Sequence, residues 1–110
     1  MAHARRGEVW QIDFGLAAKV RPALLLTSEP EEDELDLFTV LLHTTSTRGN
    51  RWEIGIQKPF LRLGAFHLQQ IQTISGAKLM RRLGALSSAE LAEVDAVLAK
   101  RFSLSGYEST

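Results

Sequence analysis

The chain has 110 residues, 45% of them hydrophobic, and its 13 basic and 13 acidic residues give a formal net charge of zero. It has no cysteine, which excludes disulfides and thiol chemistry, and no apolar run reaches the roughly 18 residues of a membrane span. We therefore expect a cytoplasmic protein with one domain over residues 1–110, flexible ends at 1–5 and 105–110, no secretory signal and no membrane partner.

The charge is unevenly spread along the chain. Six acidic residues fall between positions 29 and 36, and without them the chain has 7 acidic residues against 13 basic ones. A basic body is compatible with a polyanionic partner such as a nucleic acid. The acidic segment itself, which also contains Pro30, is typical of a solvated loop.

A first strand is predicted over residues 8–14, where the two faces alternate along the chain. Trp10, Ile12 and Phe14 share the face that is predicted to lie inward. Because its neighbours on that face are apolar, Trp10 is better explained as a core residue than as a base-stacking platform. A short connection over 15–19 follows, and it begins with a glycine suited to a turn.

A second strand, antiparallel to the first, is predicted over residues 20–27, where three leucines are consecutive. Pro22 cannot donate a hydrogen bond to a sheet ladder, so it lies among the first residues of this strand. Arg21 is therefore held at the strand entrance in extended geometry. A guanidinium in that position can bind a phosphate through two parallel hydrogen bonds, although a surface ion pair is its more ordinary role.

Further strands are predicted in the middle of the chain from alternation and from β-branched and aromatic residues. They span 36–43, 51–57 and 65–74, with a short one around 79–83 that is favoured over a helix. A polar segment with four hydroxyl groups, 44–50, follows the third strand, and an apolar connector, 58–64, precedes the fifth.

One helix is predicted at the end of the chain. Ser87 and Glu90 are spaced as a capping box. An apolar stripe at helical spacing follows, which predicts packing against the sheet or a partner subunit, and it consists of Leu91, Val94, Val97, Leu98 and Phe102. Five or six short strands and one C-terminal helix predict a mostly β (α+β) fold, a small, curled antiparallel barrel with the helix packed on it.

Several classes of enzyme chemistry lack their motifs. The three histidines are far apart in sequence and have no cysteine near them, so no metal site and no cofactor are expected. No glycine-rich phosphate loop and no G-x-S-x-G motif is present. Cleavage of RNA remains, because its 2′-hydroxyl is an internal nucleophile. The protein then supplies proton-transfer groups and donors for the phosphoryl oxygens.

Candidate RNA-binding groups meet at one end of the predicted sheet. Arg21 begins one strand and Thr44 follows another, so their side chains can approach each other. Hydroxyl groups there can bind a phosphate or a 2′-hydroxyl, although threonines after a strand are more often turn residues; they belong to Thr44, Thr45 and Ser46. The candidates for stacking on unpaired bases are Phe14 and Trp52.

Five short motifs make the chain resemble the MazF/PemK (Kid) toxins of type II toxin–antitoxin systems. They are R-G-E-V-W at 6–10, V-R-P-A-L-L-L at 20–26, H-T-T-S at 43–46, Q-Q-I-Q-T-I at 69–74 and L-G-A-L-S-S-A-E-L at 83–91. The resemblance runs from Arg5 to Leu104. It implies an SH3-like barrel related to that of the gyrase toxin CcdB, and a homodimer. It also implies a metal-independent endoribonuclease, an mRNA interferase, that a cognate antitoxin neutralises.

The resemblance also implies roles for individual residues. Arg21 is expected to stabilise the phosphate and to serve as the general acid, and Thr44 to hold the scissile phosphate or the 2′-oxygen. The products implied are 2′,3′-cyclic phosphate and 5′-hydroxyl ends on single-stranded RNA. Together with the stacking candidates, the expected substrate-binding residues are Phe14, Lys19, Thr45, Ser46, Arg48, Trp52, Gln69 and Gln70.

The chain departs from the family pattern at three points. The connection 15–19 is shorter than in many members, so the expectation is either that the mobile loop that covers the site is missing or that Lys19 supplies its charge. Gln69 stands where many members have an acid. His67 is a candidate acid or base near neutral pH, the alternative being a strand-surface residue. An alternative function is therefore an inactive or weakened module that binds nucleic acid or antitoxin without cleavage. Gyrase poisoning, as in CcdB, is disfavoured because Tyr107 replaces the expected C-terminal tryptophan.

Overall fold

The computed structural model describes residues 3–15 and 19–105 of the chain. The strands are β1 (Glu8–Asp13), β2 (Val20–Leu25), β3 (Leu37–Thr44), β4 (Glu53–Ile54), β5 (Ala65–Ser75) and β6 (Leu79–Ala85), and helix α1 (Ser88–Arg101) follows them. They form one sheet in the order β4-β5-β3-β2-β1-β6, in which every neighbouring pair is antiparallel. The predicted mostly β fold with one C-terminal helix is confirmed.

The fourth strand is much shorter than predicted. β4 has two residues, whereas the alternation predicted a strand over 51–57. The Asn50 side chain accepts a hydrogen bond from the Trp52 N–H (2.9 Å), and the Glu53 N–H donates to the Asn50 carbonyl (3.3 Å). These bonds fold the chain into a turn before β4, which delays the start of the strand, and only Glu53 and Ile54 pair with β5.

The other predicted elements lie close to their expected positions. β6 is a strand and not a helix, and a single 3₁₀ turn over Gly76–Lys78 precedes it. β2 ends before the predicted Thr27, because the Thr27 hydroxyl accepts the Thr39 N–H (3.0 Å) in place of a ladder bond.

Parts of two predictions fall outside the described residues. In the short connection predicted over 15–19, residues 16–18 lie outside them. Of the ends predicted to be flexible, residues 1–2 and 106–110 also lie outside them. In the part of the N-terminal segment that is described, Ala4 is fully buried and its carbonyl accepts the Glu29 N–H (2.9 Å).

The core consists of two apolar clusters on opposite faces of the sheet, because neighbouring residues of a strand point to opposite faces. The first cluster contains Trp10, Ile12, Ala23, Leu25, Phe38, Val40, Leu42 and Ile74, and Phe14 packs against it. The second contains Val9, Leu24, Leu41, Ile54, Phe66, Leu68 and, from α1, Val94. The central strands are therefore buried on both faces, which explains the continuous apolar run in β2.

An irregularity in the β3–β5 pairing reshapes one end of the sheet. Leu41 pairs with Ile71, but His43, two residues further on, pairs with Phe66, five residues further back. β5 therefore carries three extra residues in this interval, which form a bulge. Bulges bend a strand and change the direction of its side chains. Gln70 lies in this bulge.

Helix α1 begins as predicted. The Ser87 hydroxyl accepts the Glu90 N–H (3.1 Å), and the Glu90 carboxylate accepts the Ser87 N–H (2.8 Å), which completes the capping box. The same carboxylate accepts a hydrogen bond from Lys58 Nζ (2.8 Å) and so connects the helix start to the segment before β5. The bond from Lys58, followed by that from Ser87, lowers the pKa of Glu90. Across residues 3–15 and 19–105, no helix has the length and apolar character of a membrane span.

Replacing Ser87 with alanine is expected to lower the free energy of unfolding by about 1 kcal/mol, because the Glu90 N–H loses its acceptor. The matched control is Ser88→Ala, one residue inside the helix at an exposed position, which should change it by less than about 0.5 kcal/mol. Urea denaturation of both variants checks the prediction, and equal midpoints would show that the cap contributes nothing.

Candidate active site

A cleft of about 700 Å³ opens at the end of the sheet where β2 begins and β3 ends. The β2–β3 register pairs Ala23 with Leu42, and its continuation by two residues along each strand puts Arg21 opposite Thr44. Both residues line the cleft. Antiparallel pairing therefore brings together the guanidinium and the hydroxyl that the sequence predicted to meet.

Arg21 is anchored at the side of this cleft. Its Nη2 donates a hydrogen bond to the His43 carbonyl (2.9 Å), and the side chain is half-buried. Within the described part of the chain, no carboxylate forms an ion pair with this guanidinium. Arginine has five N–H donors, so the anchor leaves several free for a ligand.

The segment after β3 supplies the hydroxyl groups of the cleft. Thr44 Oγ1 accepts the Ser46 N–H (3.0 Å), which holds the chain in a tight turn. Because this bond uses the oxygen only as an acceptor, the Thr44 hydroxyl proton remains available for donation. The exposed Thr45 and Ser46 line the cleft beside it.

The cleft is strongly basic. Besides Arg21, the guanidinium groups of Arg62 and Arg81 line it, and no aspartate or glutamate is among the lining residues. The acidic segment 29–36 connects the other ends of β2 and β3, so it lies at the opposite end of the sheet. The acidic segment is therefore separated in space from the three arginines of the cleft.

The sequence analysis missed two lining residues of the connector before β5, Phe60 and Arg62. The sequence analysis described this segment only as an apolar connector, and the arginine within it was the signal for a role in the site. Its end passes very close to β3, since a Cβ on Gly64 would lie 2.1 Å from the Thr44 carbonyl oxygen. Glycine at this position therefore permits the close approach of the connector to Thr44.

His43 also lines the cleft and was not predicted as a site residue. It is 3% exposed, and its ring packs edge-to-face on Phe66, with the ring centroids 5.1 Å apart. Burial, and then the positive charge of Arg21, lower the pKa of His43 from its ordinary value of 6.5. Its Nε2 and the Oε1 of Gln70 are buried without a hydrogen-bond partner among the described residues. Such unpaired polar atoms destabilise a fold and are typical of functional sites.

The lowered pKa of His43 predicts acid-sensitive stability. The unfolded chain binds a proton at this histidine near pH 6.5, whereas the folded protein binds it only at lower pH. The free energy of unfolding therefore has its full value above pH 6.5 and falls as the pH decreases below it. The urea midpoint should therefore be lower at about pH 5.5 than at about pH 7.5. His43→Leu should reduce this difference, whereas His3→Gln, at an exposed histidine, should retain it. An unchanged pH dependence in His43→Leu would contradict the assignment.

His67, predicted as a candidate acid or base, does not line the cleft. It is 6% exposed, so it is not a strand-surface residue either. Its Nδ1 accepts the Gln69 N–H (3.1 Å), and its Nε2 lies 3.7 Å from Glu53 Oε2. The Glu53 carboxylate in turn accepts the backbone N–H groups of Arg48 and Gly49 (2.7 Å each), and the bond from Arg48 is the first cause of its lowered pKa. This group of residues orders the loop between β3 and β4.

The remaining predicted substrate-binding residues also lie outside the cleft lining. Trp52 is half-buried, and the guanidinium groups of Arg51 and Arg101 lie 4.3 and 5.2 Å from its ring centroid, so its faces are occupied within the protein. Phe14 packs against the first core cluster. The cleft thus gathers Arg21, Thr44, Thr45, Ser46 and Gln70, and leaves out Phe14, Lys19, Arg48, Trp52, His67 and Gln69.

The lining groups suit a phosphodiester. A guanidinium can bind two phosphoryl oxygens, a hydroxyl can donate to a third oxygen, and two further guanidiniums can bind neighbouring phosphates. In the described residues, no group of three His, Asp or Glu side chains is placed to hold a metal ion.

Comparison with known proteins matches this geometry to one family. Residues 5–102 match the family model described as PemK-like, MazF-like toxin of type II toxin-antitoxin system. The chain superposes on a mycobacterial endoribonuclease solved with its cognate antitoxin, with TM-score 0.76, 21% identity, and 91% of this chain and 95% of that one covered. For MazF in a MazE-MazF structure from Deinococcus radiodurans the TM-score is 0.79 and the identity 18%, with 96% of this chain and 100% of that one covered. For the Mycobacterium tuberculosis toxin MazF-mt6 the TM-score is 0.71 and the identity 24%, with 88% of this chain and 97% of that one covered. No curated protein matches the chain in sequence.

Proposed function

The chain belongs to the PemK-like, MazF-like toxins of type II toxin–antitoxin systems, and from this premise we propose that it is an endoribonuclease that cleaves single-stranded RNA. The observation that carries the proposal is the position of Arg21 opposite Thr44, by extension of the β2–β3 register, in a basic cleft that no carboxylate of the described residues lines. Such a cleft attracts a phosphate backbone, because it has positive groups and no negative group that would repel the phosphates. Neighbouring structures described as endoribonucleases support the same reaction.

The proposed reaction needs no external nucleophile. The 2′-oxygen attacks the adjacent phosphorus, the bond from phosphorus to the 5′-oxygen breaks, and the products are a 2′,3′-cyclic phosphate and a 5′-hydroxyl. Arg21 stabilises the charge that develops on the phosphoryl oxygens and protonates the leaving 5′-oxygen. The Thr44 hydroxyl donates a hydrogen bond to a phosphoryl oxygen.

A proton must also leave the 2′-hydroxyl. Among the lining side chains of the described residues, His43 carries the one imidazole, and because its Nε2 is buried without a partner, RNA binding must uncover this ring before it can accept the proton. We therefore assign the proton-accepting role to His43 rather than to His67, which lies outside the cleft lining.

Incubation of the purified protein with a long single-stranded RNA in excess EDTA tests this proposal. Discrete fragments are expected, and their new 5′ ends should be labelled by a polynucleotide kinase without prior phosphatase treatment, because they carry a hydroxyl group. A requirement for added metal, or 5′-phosphate ends, would contradict the mechanism. Binding of RNA without any cleavage would favour the inactive-module alternative.

We also propose that a cognate antitoxin neutralises the protein, that it acts as a homodimer, and that it works in the cytoplasm, where mRNA is found. The neighbours solved with an antitoxin support the first point. Growth arrest on expression, relieved by the product of the adjacent gene, would identify the antitoxin. Light scattering of the purified protein tests the dimer, and a monomer at micromolar concentration would contradict it.

A further inference from the structure

The aromatic residues predicted to stack on RNA bases lie outside the cleft, but one other aromatic ring lines it. Phe60 is half-buried and borders the cleft together with Arg62 and Arg81. Its neighbours in the lining therefore include two exposed guanidiniums that are suited to flanking phosphates.

The ring of Phe60 rests on the backbone of β6. A Cβ placed on Gly84 would lie 2.3 Å from Cε2 of this ring, and 2.7 Å from both of its ring neighbours, Cδ2 and Cζ. These distances place the added Cβ directly above Cε2, on the face of the ring. An approach in the plane of the ring would leave Cδ2 and Cζ farther away than 2.7 Å. The glycine therefore supports one face of the ring, and any side chain in its place would displace it.

We propose that Phe60, seated on Gly84, is the platform on which one unpaired base of the RNA stacks, while Arg62 and Arg81 bind the phosphates beside it. This inference rests on the proposed function, because it assigns a binding subsite in the same cleft. Single-stranded RNA is usually held by bases stacked on aromatic rings within a basic groove. The ring is half-buried, packs against the second core cluster and lines the cleft, so it is held in place, which reduces the entropy lost when a base stacks on its exposed part.

The test pairs changes in the protein with changes in the RNA. After the wild-type cleavage site has been mapped, a short RNA carrying a 2′-deoxy group at that site can be bound without being cleaved. Abasic nucleotides are then placed one at a time on either side of the site. At one position, loss of the base should weaken binding to the wild type by roughly 5- to 150-fold, and the same change should have almost no effect on binding to Phe60→Leu.

Further variants separate stacking from general packing. Phe60→Tyr should restore the wild-type pattern, and Gly84→Ala, which leaves the phenylalanine in place but displaces its ring, should behave like Phe60→Leu. Phe102→Leu, at an exposed phenylalanine beyond the end of α1, is the matched control and should bind like the wild type. Thermal unfolding of each variant verifies that it is folded.

Two results would overturn the inference, and they differ from each other. If every abasic change weakens binding to wild type and Phe60→Leu equally, no base stacks on this ring. If the wild type neither cleaves nor binds RNA, the proposed function fails, and the inference fails with it.

Discussion

Replacing Arg21 with alanine is expected to lower the rate of RNA cleavage by about 100- to 1,000-fold, the usual cost of removing one donor to the charge that develops in a transition state. The guanidinium is the only lining cation that lies opposite Thr44 in the β2–β3 register, so neither of the other two can replace it. The measurement is the single-turnover rate on a labelled RNA in EDTA.

Two further arginine variants make this result specific. Arg21→Lys keeps the charge but loses the forked donor geometry, so it should remain well below the wild type. Arg51→Ala removes an exposed arginine that stacks on Trp52 outside the cleft, and it should cleave at the wild-type rate. If Arg51→Ala loses as much activity as Arg21→Ala, cleavage depends on overall charge and not on the proposed site.

Replacing Gly64 with alanine is expected to lower both stability and activity. The new Cβ would lie 2.1 Å from the Thr44 carbonyl oxygen and 2.9 Å from its carbonyl carbon, and backbone atoms cannot yield as a side chain can. We expect a loss of about 3 kcal/mol in the free energy of unfolding, at the upper end of the usual cost of overpacking. Because the strain moves Thr44 itself, cleavage should also fall by about 100-fold, as expected for a displacement of about 1 Å at a reacting group.

The matched control is the glycine that directly follows β4. A Cβ on Gly55 would have its nearest neighbour, the Gly64 carbonyl oxygen, at 3.7 Å, an ordinary contact. Gly55→Ala should therefore change the free energy of unfolding by less than about 0.5 kcal/mol and leave cleavage intact. Urea denaturation and the same RNA assay measure both variants. Equal stability of Gly64→Ala and Gly55→Ala would contradict the close approach to β3.

The elements that the sequence predicted well are those whose signals are local. The helix start follows from Ser87 and Glu90, which interact across one turn, and five of the six strands follow from alternation, an apolar run or β-branched and aromatic residues within each segment. β4 was overestimated because its alternation continues through the turn at Asn50, and the side-chain bond to the Trp52 N–H outweighs that pattern. Propensity describes what a segment can form, whereas such bonds decide where it stops.

The site was predictable where strand pairing alone determines it. Arg21 and Thr44 meet because antiparallel neighbours bring the start of one strand to the end of the next. Phe60 and Arg62 could not be placed in this way, since the path of their connector depends on a backbone contact at Gly64. The position of Arg81 at the cleft could not be predicted either, because it depends on the register of β6 against β1, which shifts twice along the pair.

The separation of the acidic segment 29–36 from the cleft has a consequence for the encounter with RNA. A molecule of zero formal charge feels little net attraction to a polyanion at long range, but here an acidic segment and a cleft with three arginines lie at opposite ends of the sheet. The field of an approaching nucleic acid therefore applies a torque that turns the cleft forward before contact is made. Within about one Debye length, 10 Å at moderate salt, productive collisions are favoured over those with the acidic end, and added salt removes this bias.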